Sequence, residues 1–281
     1  MRFAVCGGDE SAVRLCRMLA GDGHQVRAFA LDEARLPPEV LNVCCPEGAL
    51  KDAEVAVLPS PAAGPEGRLN TPLCRREYFA ADILKAVPRE TLICAGEAQS
   101  LPEGRYVEDY TLRAEYAAGR AAIAAEGAVE LALRAGDTTV LGSRVLVLGW
   151  GRLGKLLAAR LRDMGANVTV ASRRPGDRAL IRALGCRSAD FLTLPRELGG
   201  YEMIFNTVPA LVLDTVALTA ISSKTLLAEL ASPPGGFDSR IADELGIHTV
   251  TAGGLAGKCA PETAAELLRD AVYGIVEEWR V

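Results

Sequence analysis

Three glycines in "SRVLVLGWGRLGKLLAARLRDMGANVTVASRRP" (143–175) constrain this chain more than any other feature. Gly149, Gly151 and Gly154 stand directly after an apolar run and directly before one of helical period. In a G-x-G-x-x-G turn the first glycine permits a tight bend, the second lets a pyrophosphate approach the backbone, and the third lets helix pack on strand. The helix opens at Arg152 and Leu153, whose unpaired N–H groups give it a positive end suited to phosphate. With a second strand at the expected distance, the stretch reads as a dinucleotide cradle. The plainer alternative is a tight turn that holds no ligand.

That second strand ends at Ala171, and Ser172, Arg173 and Arg174 follow where an NAD-preferring site places an acidic residue for the ribose 2′-hydroxyl. A carboxylate there repels a 2′-phosphate, whereas a serine and two arginines attract it. Each charge-assisted hydrogen bond contributes roughly 1.5–3 kcal/mol, so the spacing points to NADP, with NAD as the alternative. Asp177 offsets part of the charge. Further on, "FNTVP" closes another strand, and Asn206, Thr207 and Pro209 are expected at the mouth beside a nicotinamide, although a helix cap is an equally ordinary role for the first two.

The rest of the chain alternates short apolar runs with helical patterns, which implies parallel strands joined by crossovers. Its 281 residues suit two domains. The expected fold class is α/β, two Rossmann-like domains with doubly wound parallel sheets, an interdomain cleft and crossing helices. Residues 1–118 form the first domain, against which the C-terminal helix either packs back or does not, and 119–281 form the nucleotide domain plus that helix. Five strands are predicted in the second domain. The segment 59–72, with four prolines and two glycines, is either a lid or simply a long loop.

Composition removes several function classes. Net charge is −5 with the basic residues dispersed, so no Lys/Arg face exists to displace counterions from a nucleic-acid duplex. The eight cysteines include no CxxC pair and no histidine at ligand spacing, which leaves a zinc site unsupported. No segment has the roughly 18 apolar residues of a membrane span, and "MRFAVCGGDE" reads as strand and turn rather than as a leader, so a cytoplasmic location is expected.

Several stretches together resemble the dipicolinate synthase A-subunit family: "CGGDE", "AAEGAVELAL", the glycine segment, "FNTVPALVL", "LLAELASPPGGFD" and "GGLAGKCAPETAAELL". The last two are the most particular. The resemblance implies oxidation of a dihydro- or hydroxytetrahydrodipicolinate to pyridine-2,6-dicarboxylate during sporulation. A pyridine nucleotide is the hydride acceptor, and a flavoprotein-like B subunit is the partner. A homo-oligomer is also expected. The family is similar in architecture to two-domain 2-hydroxyacid and alanine dehydrogenases, and a dehydrogenase of that type is an alternative activity for the chain. The chain departs from the family pattern at Ile123, Ala124 and Ser11, which bears on the substrate contacts rather than on the cofactor fold.

Aromatisation drives hydride loss from such a ring, so positioning is the main demand on the protein. Three residues are catalytic candidates. Lys258 would hold a substrate carboxylate, or is a surface lysine before a helix. Ser60 would touch substrate from the other domain, or is a turn serine. Glu126, expected to be buried in the alanine-rich helix, would accept a proton, or forms a cap or salt bridge. His24 and His248 open strands at the ends opposite the expected site. A competing class, a nucleotide-sensing module without chemistry, uses a similar glycine loop but rarely carries a full second α/β domain.

Overall fold

The computed structural model describes residues 1–194 and 198–280. It divides the chain into two compact units, residues 1–120 with 260–281, and residues 121–259.

The first unit is built from β1 (Arg2–Cys6), α1 (Glu10–Gly21), β2 (Gln25–Phe29), β3 (Val40–Val43), α2 (Pro46–Leu50), β4 (Val55–Val57), α3 (Ala80–Ala86), β5 (Leu92–Ala95) and β6 (Glu108–Asp109). Its six strands are all parallel, in the order β3-β2-β1-β4-β5-β6. Successive side chains of a strand point to opposite faces, and a parallel sheet is covered on both. Thus Phe3 and Val5 pack with Leu15 and Leu19 of α1, and Ala4 and Cys6 with Ile83 of α3 and Ile93.

A long helix, α4 (Ala114–Ala135), carries the chain into the second unit. There follow β7 (Arg144–Leu148), α5 (Arg152–Asp163), β8 (Asn167–Ala171), α6 (Pro175–Ala183), β9 (Arg187–Ala189), β10 (Met203–Asn206), α7 (Thr215–Thr219), β11 (Leu226–Glu229), α8 (Ser239–Glu244), β12 (His248–Thr251) and α9 (Leu255–Cys259). The parallel order is β12-β11-β10-β7-β8-β9. Six strands are present rather than the five predicted, because β9 is a short edge strand of partly exposed residues with no apolar run to announce it. Read from β9, the order repeats that of the first unit, with the chain reversing direction across the sheet between β7 and β10 as it does between β1 and β4.

The closing helix α10 (Pro261–Trp279) returns to the first unit, where Leu268, Val272 and Ile275 join the α1 layer. Arg17 pairs with Glu262, and Arg113 with Glu278 at 2.9 Å. The loop 59–72 is packed down rather than open. Ala62 N donates to Gly96 O at 2.8 Å, Leu69 N to Tyr78 O at 2.8 Å and Gly8 N to Asn70 O at 2.9 Å, and Ala62 and Leu69 are buried. Among the described residues no helix is long and apolar enough to cross a membrane.

Candidate active site

The end of β7 shows three different demands on three glycines. Gly149 adopts φ +105°, a conformation that favours glycine, and a Cβ there would lie 2.6 Å from Thr207 Oγ1. At Gly154 a Cβ would overlap the carbonyl oxygen of Gly149, so this glycine sets the approach of α5 to the strand. A Cβ on Gly151 would meet nothing within 4 Å. Gly151 is also the N-cap of α5 and supplies no side-chain acceptor, which leaves the first N–H groups of the helix for a ligand.

These residues border a cavity of about 590 Å³ at the point where strand order reverses, the usual ligand position in an open parallel sheet. Gly149, Gly151, Ser172, Arg173, Arg174, Thr207 and Pro209 all line it, so the structure brings together seven of the residues that the sequence points to. Thr207 is fixed there by both its N–H and its hydroxyl, which donate to Leu148 O at 3.0 and 2.7 Å. Trp150, Asp177 and Phe191 also line the cavity, and nothing in their spacing marks them as ligands. The Trp150 indole N–H is a buried donor without a partner among the described residues.

The polar side chains around the cavity differ in how they are held. Ser172 is buried, and its hydroxyl donates to Asp177 Oδ2 at 3.0 Å. Arg178 pairs with Asp190 at 2.8 Å and donates to the carbonyls of Ser172 and Arg173, both at 2.8 Å, fixing the turn after β8. Arg173 and Arg174 are exposed on the cavity wall. The bare Gly151, the unpartnered indole and the two arginines fit a phosphate-bearing nucleotide.

Other expected residues lie elsewhere. Arg152 and Leu153 begin α5 but do not line the cavity, although their N–H groups remain at its first turn. Asn206 is fully buried rather than at the mouth. Its Nδ2 donates to Glu229 Oε1 at 2.7 Å and to Val208 O at 2.9 Å, and its Oδ1 accepts from Val208 N at 3.1 Å. Glu229, unnoticed in the sequence, accepts in addition from Ala231 N at 2.9 Å and Gly236 N at 2.7 Å, so a buried carboxylate and amide pin the loops after β10 and β11. A long-range pair of this kind leaves no mark on local spacing.

Glu126 is exposed rather than buried, and it pairs with Arg160 at 3.1 Å. The buried face of α4 runs through Ala125, Ala128 and Ala132, and Glu126 lies about 100° around the helix from Ala125. Lys258 is exposed in the last turn of α9. Ser60 belongs to the first unit and is half-buried between Arg120 and Glu97.

Residues 2–104 match the model of the family described as the N-terminal domain of the dipicolinate synthase A-subunit. The chain is 29% identical to the dipicolinate synthase A-subunit of Bacillus subtilis (strain 168), over 99% of its own length and 96% of the relative's. It is similar to the crystal structure of the dipicolinate synthase A-subunit from Bacillus halodurans, with a TM-score of 0.86 and 25% identity, covering 98% of this chain and 97% of that one. A transhydrogenase from Sinorhizobium meliloti shares the fold at a TM-score of 0.72 and 15% identity, over 99% and 93% of the two chains.

Proposed function

We propose, from the similarity to the Bacillus subtilis dipicolinate synthase A-subunit along 99% of this chain and 96% of that protein, that the chain is an oxidoreductase subunit that forms pyridine-2,6-dicarboxylate from a dihydro- or hydroxytetrahydropyridine dicarboxylate in sporulating cells. NADP is the hydride acceptor in this reading. The protein acts in the cytoplasm with a flavoprotein-like B subunit. The observation that carries the proposal is the cavity at the end of β7, where a bare N-cap glycine and two arginines border one space.

When bound, an oxidised nicotinamide would supply the hydride acceptor; a dihydropyridine dicarboxylate gives up one hydride to it and one proton to solvent as it becomes aromatic, and the hydroxytetrahydro form must also release its hydroxyl as water. The chain's own part is to bind and orient. Gly149 and Gly151 keep side chains away from the diphosphate, and the opening N–H groups of α5, at Arg152 and Leu153, oppose its charge. Arg173 and Arg174 set two positive charges against the one carboxylate of Asp177, which already accepts the Ser172 hydroxyl. Two charge-assisted hydrogen bonds to a 2′-phosphate favour NADP over NAD by about 10²-fold.

The test is a calorimetric titration of the chain, and of Arg173→Ala, with each cofactor, followed by an assay at 340 nm with the cyclic dicarboxylate and the partner subunit. Selective loss of NADP affinity in the variant, with turnover in the native protein, is the expected result. Equal weakening of both cofactors would remove the 2′-phosphate argument. Tight binding without turnover would instead favour a sensing module.

A further inference from the structure

The first sheet reverses strand order between β1 and β4, so the same physical argument marks a ligand position there. Its own glycine turn is closed to phosphate. Gly8 N donates to Asn70 O, a Cβ on Gly7 would lie 2.9 Å from that oxygen, and the N-cap of α1 is Asp9, whose carboxylate accepts from Ser11 N at 3.0 Å. What the reversal offers instead is Ser60, just beyond β4.

The Ser60 hydroxyl accepts from Arg120 Nη1 at 3.0 Å and donates to Glu97 Oε1 at 3.2 Å. Ser60 fits only because residue 96 is glycine, since a Cβ there would overlap the Ser60 Cβ and lie 2.8 Å from the Tyr110 hydroxyl. That hydroxyl is itself held by Leu58 O at 2.9 Å. Glu97 takes φ +54°, a conformation unfavourable outside glycine and concentrated where structure serves a site. Its N–H and that of Ala98 donate to Asp109 at 3.2 and 2.8 Å, and Thr111 N and Oγ1 donate to the same carboxylate at 2.8 and 2.6 Å. Asp109 is therefore committed to backbone and hydroxyl donors. Arg120 lies half-buried over the Tyr116 ring, 5.8 Å from its centre, and forms no ion pair with a carboxylate among the described residues.

A half-buried guanidinium that donates to the Ser60 hydroxyl and pairs with no carboxylate among the described residues suits a carboxylate ligand. We infer that Arg120, oriented by Ser60 and Tyr116, grips one carboxylate of the cyclic dicarboxylate substrate. This inference rests on the function proposed above and adds a residue that the sequence alone does not single out. The planar fork matches a carboxylate through two parallel hydrogen bonds, which a lysine cannot reproduce.

The test uses the full chain saturated with NADP and calorimetric titration with pyridine-2,6-dicarboxylate. Arg120→Ala should weaken binding about 30-fold or more, and Arg120→Lys about tenfold because charge remains without the fork. Ser60→Ala should lose about fivefold. NADP affinity should stay within twofold in all three, which a merely misfolded variant would not achieve. If the native chain binds the dicarboxylate and Arg120→Ala binds it equally well, this inference fails while the proposed function stands. If the native chain binds NADP but no dicarboxylate, both fail.

Discussion

Gly151 and Gly154 belong to one motif, yet their surroundings demand opposite outcomes from the same substitution. Alanine at 154 places its methyl group on the carbonyl oxygen of Gly149 and 3.2 Å from Thr207 Oγ1. Neither neighbour can yield cheaply, since Gly149 N is bonded to Ala171 O at 3.0 Å and the Thr207 hydroxyl to Leu148 O at 2.7 Å. Helix α5 must move off the sheet, and overpacking of this kind costs about 1–3 kcal/mol. For a unit of this size that lowers the melting temperature by about 3–10 °C. Alanine at 151 has an ordinary φ of −78° and no atom within 4 Å of its methyl. Its smaller unfolded-state entropy, about 0.4–1 kcal/mol, offsets a slightly poorer N-cap, so the melting temperature should hardly change. The methyl group does, however, enter the cavity where a diphosphate would lie, and NADP affinity should fall about 30-fold or more. Thermal melts and NADP titrations on both variants decide the matter. A Gly151→Ala variant that binds NADP within threefold of the native chain, or a Gly154→Ala variant that melts with it, would refute the reasoning.

Three further outcomes are expected. Glu229→Gln turns one acceptor of a buried three-donor cluster into a donor, so urea denaturation should show a loss of about 1–3 kcal/mol. Burial pushes the Cys6 and Cys94 thiols up to about 12 and raises that of Cys16, whereas Cys44 and Cys45 are exposed. Brief alkylation near pH 8 read by mass spectrometry should therefore mark Cys44 and Cys45 and spare Cys6, Cys16 and Cys94 until the protein is unfolded. The hydrogen bond from Arg113 holds the Glu278 carboxyl below its usual value of 4.5. A carboxyl with a depressed folded-state value contributes stability that is present above its usual value and is lost as pH falls through the lower, folded-state value. The difference in urea midpoint between native chain and Glu278→Gln should thus be level from pH 8 to 6 and shrink on acidification; growth at low pH would contradict it.

The parts of this fold that are legible in the sequence are those where local spacing fixes the backbone. β7, α5 and β8 can be drawn from three glycines between apolar runs, and Arg173 and Arg174 can be placed because the strand before them ends sharply. β3 and β9 escape a reading of this kind because edge strands bury little: only Val40 of β3 is buried, and no residue of β9 is. Glu126 is misplaced by it because an alanine-rich helix suggests burial on every side, although one stripe suffices. Asn206 is misplaced because its partner, Glu229, lies 23 residues away. The Arg120 cluster draws on residues from four separate segments, and it cannot be assembled without the strand order.

The two units carry the same turn with different endings, and the difference explains how one topology can serve two ligands. Gly7 and Gly149 both take positive φ, and each donates its N–H to the last residue of the neighbouring strand, Phe29 O at 2.8 Å and Ala171 O at 3.0 Å. Two residues on, the N-cap is Asp9 in one unit and Gly151 in the other. A carboxylate at that position satisfies the helix from within and repels an anion, whereas a glycine leaves the N–H groups and their partial positive charge to whatever binds. The helix terminus of the second unit can therefore take a diphosphate unaided. In the first unit that source of positive charge is already spent on Asp9, so an anionic ligand there needs a side chain to hold it, the role inferred above for Arg120 beside Ser60.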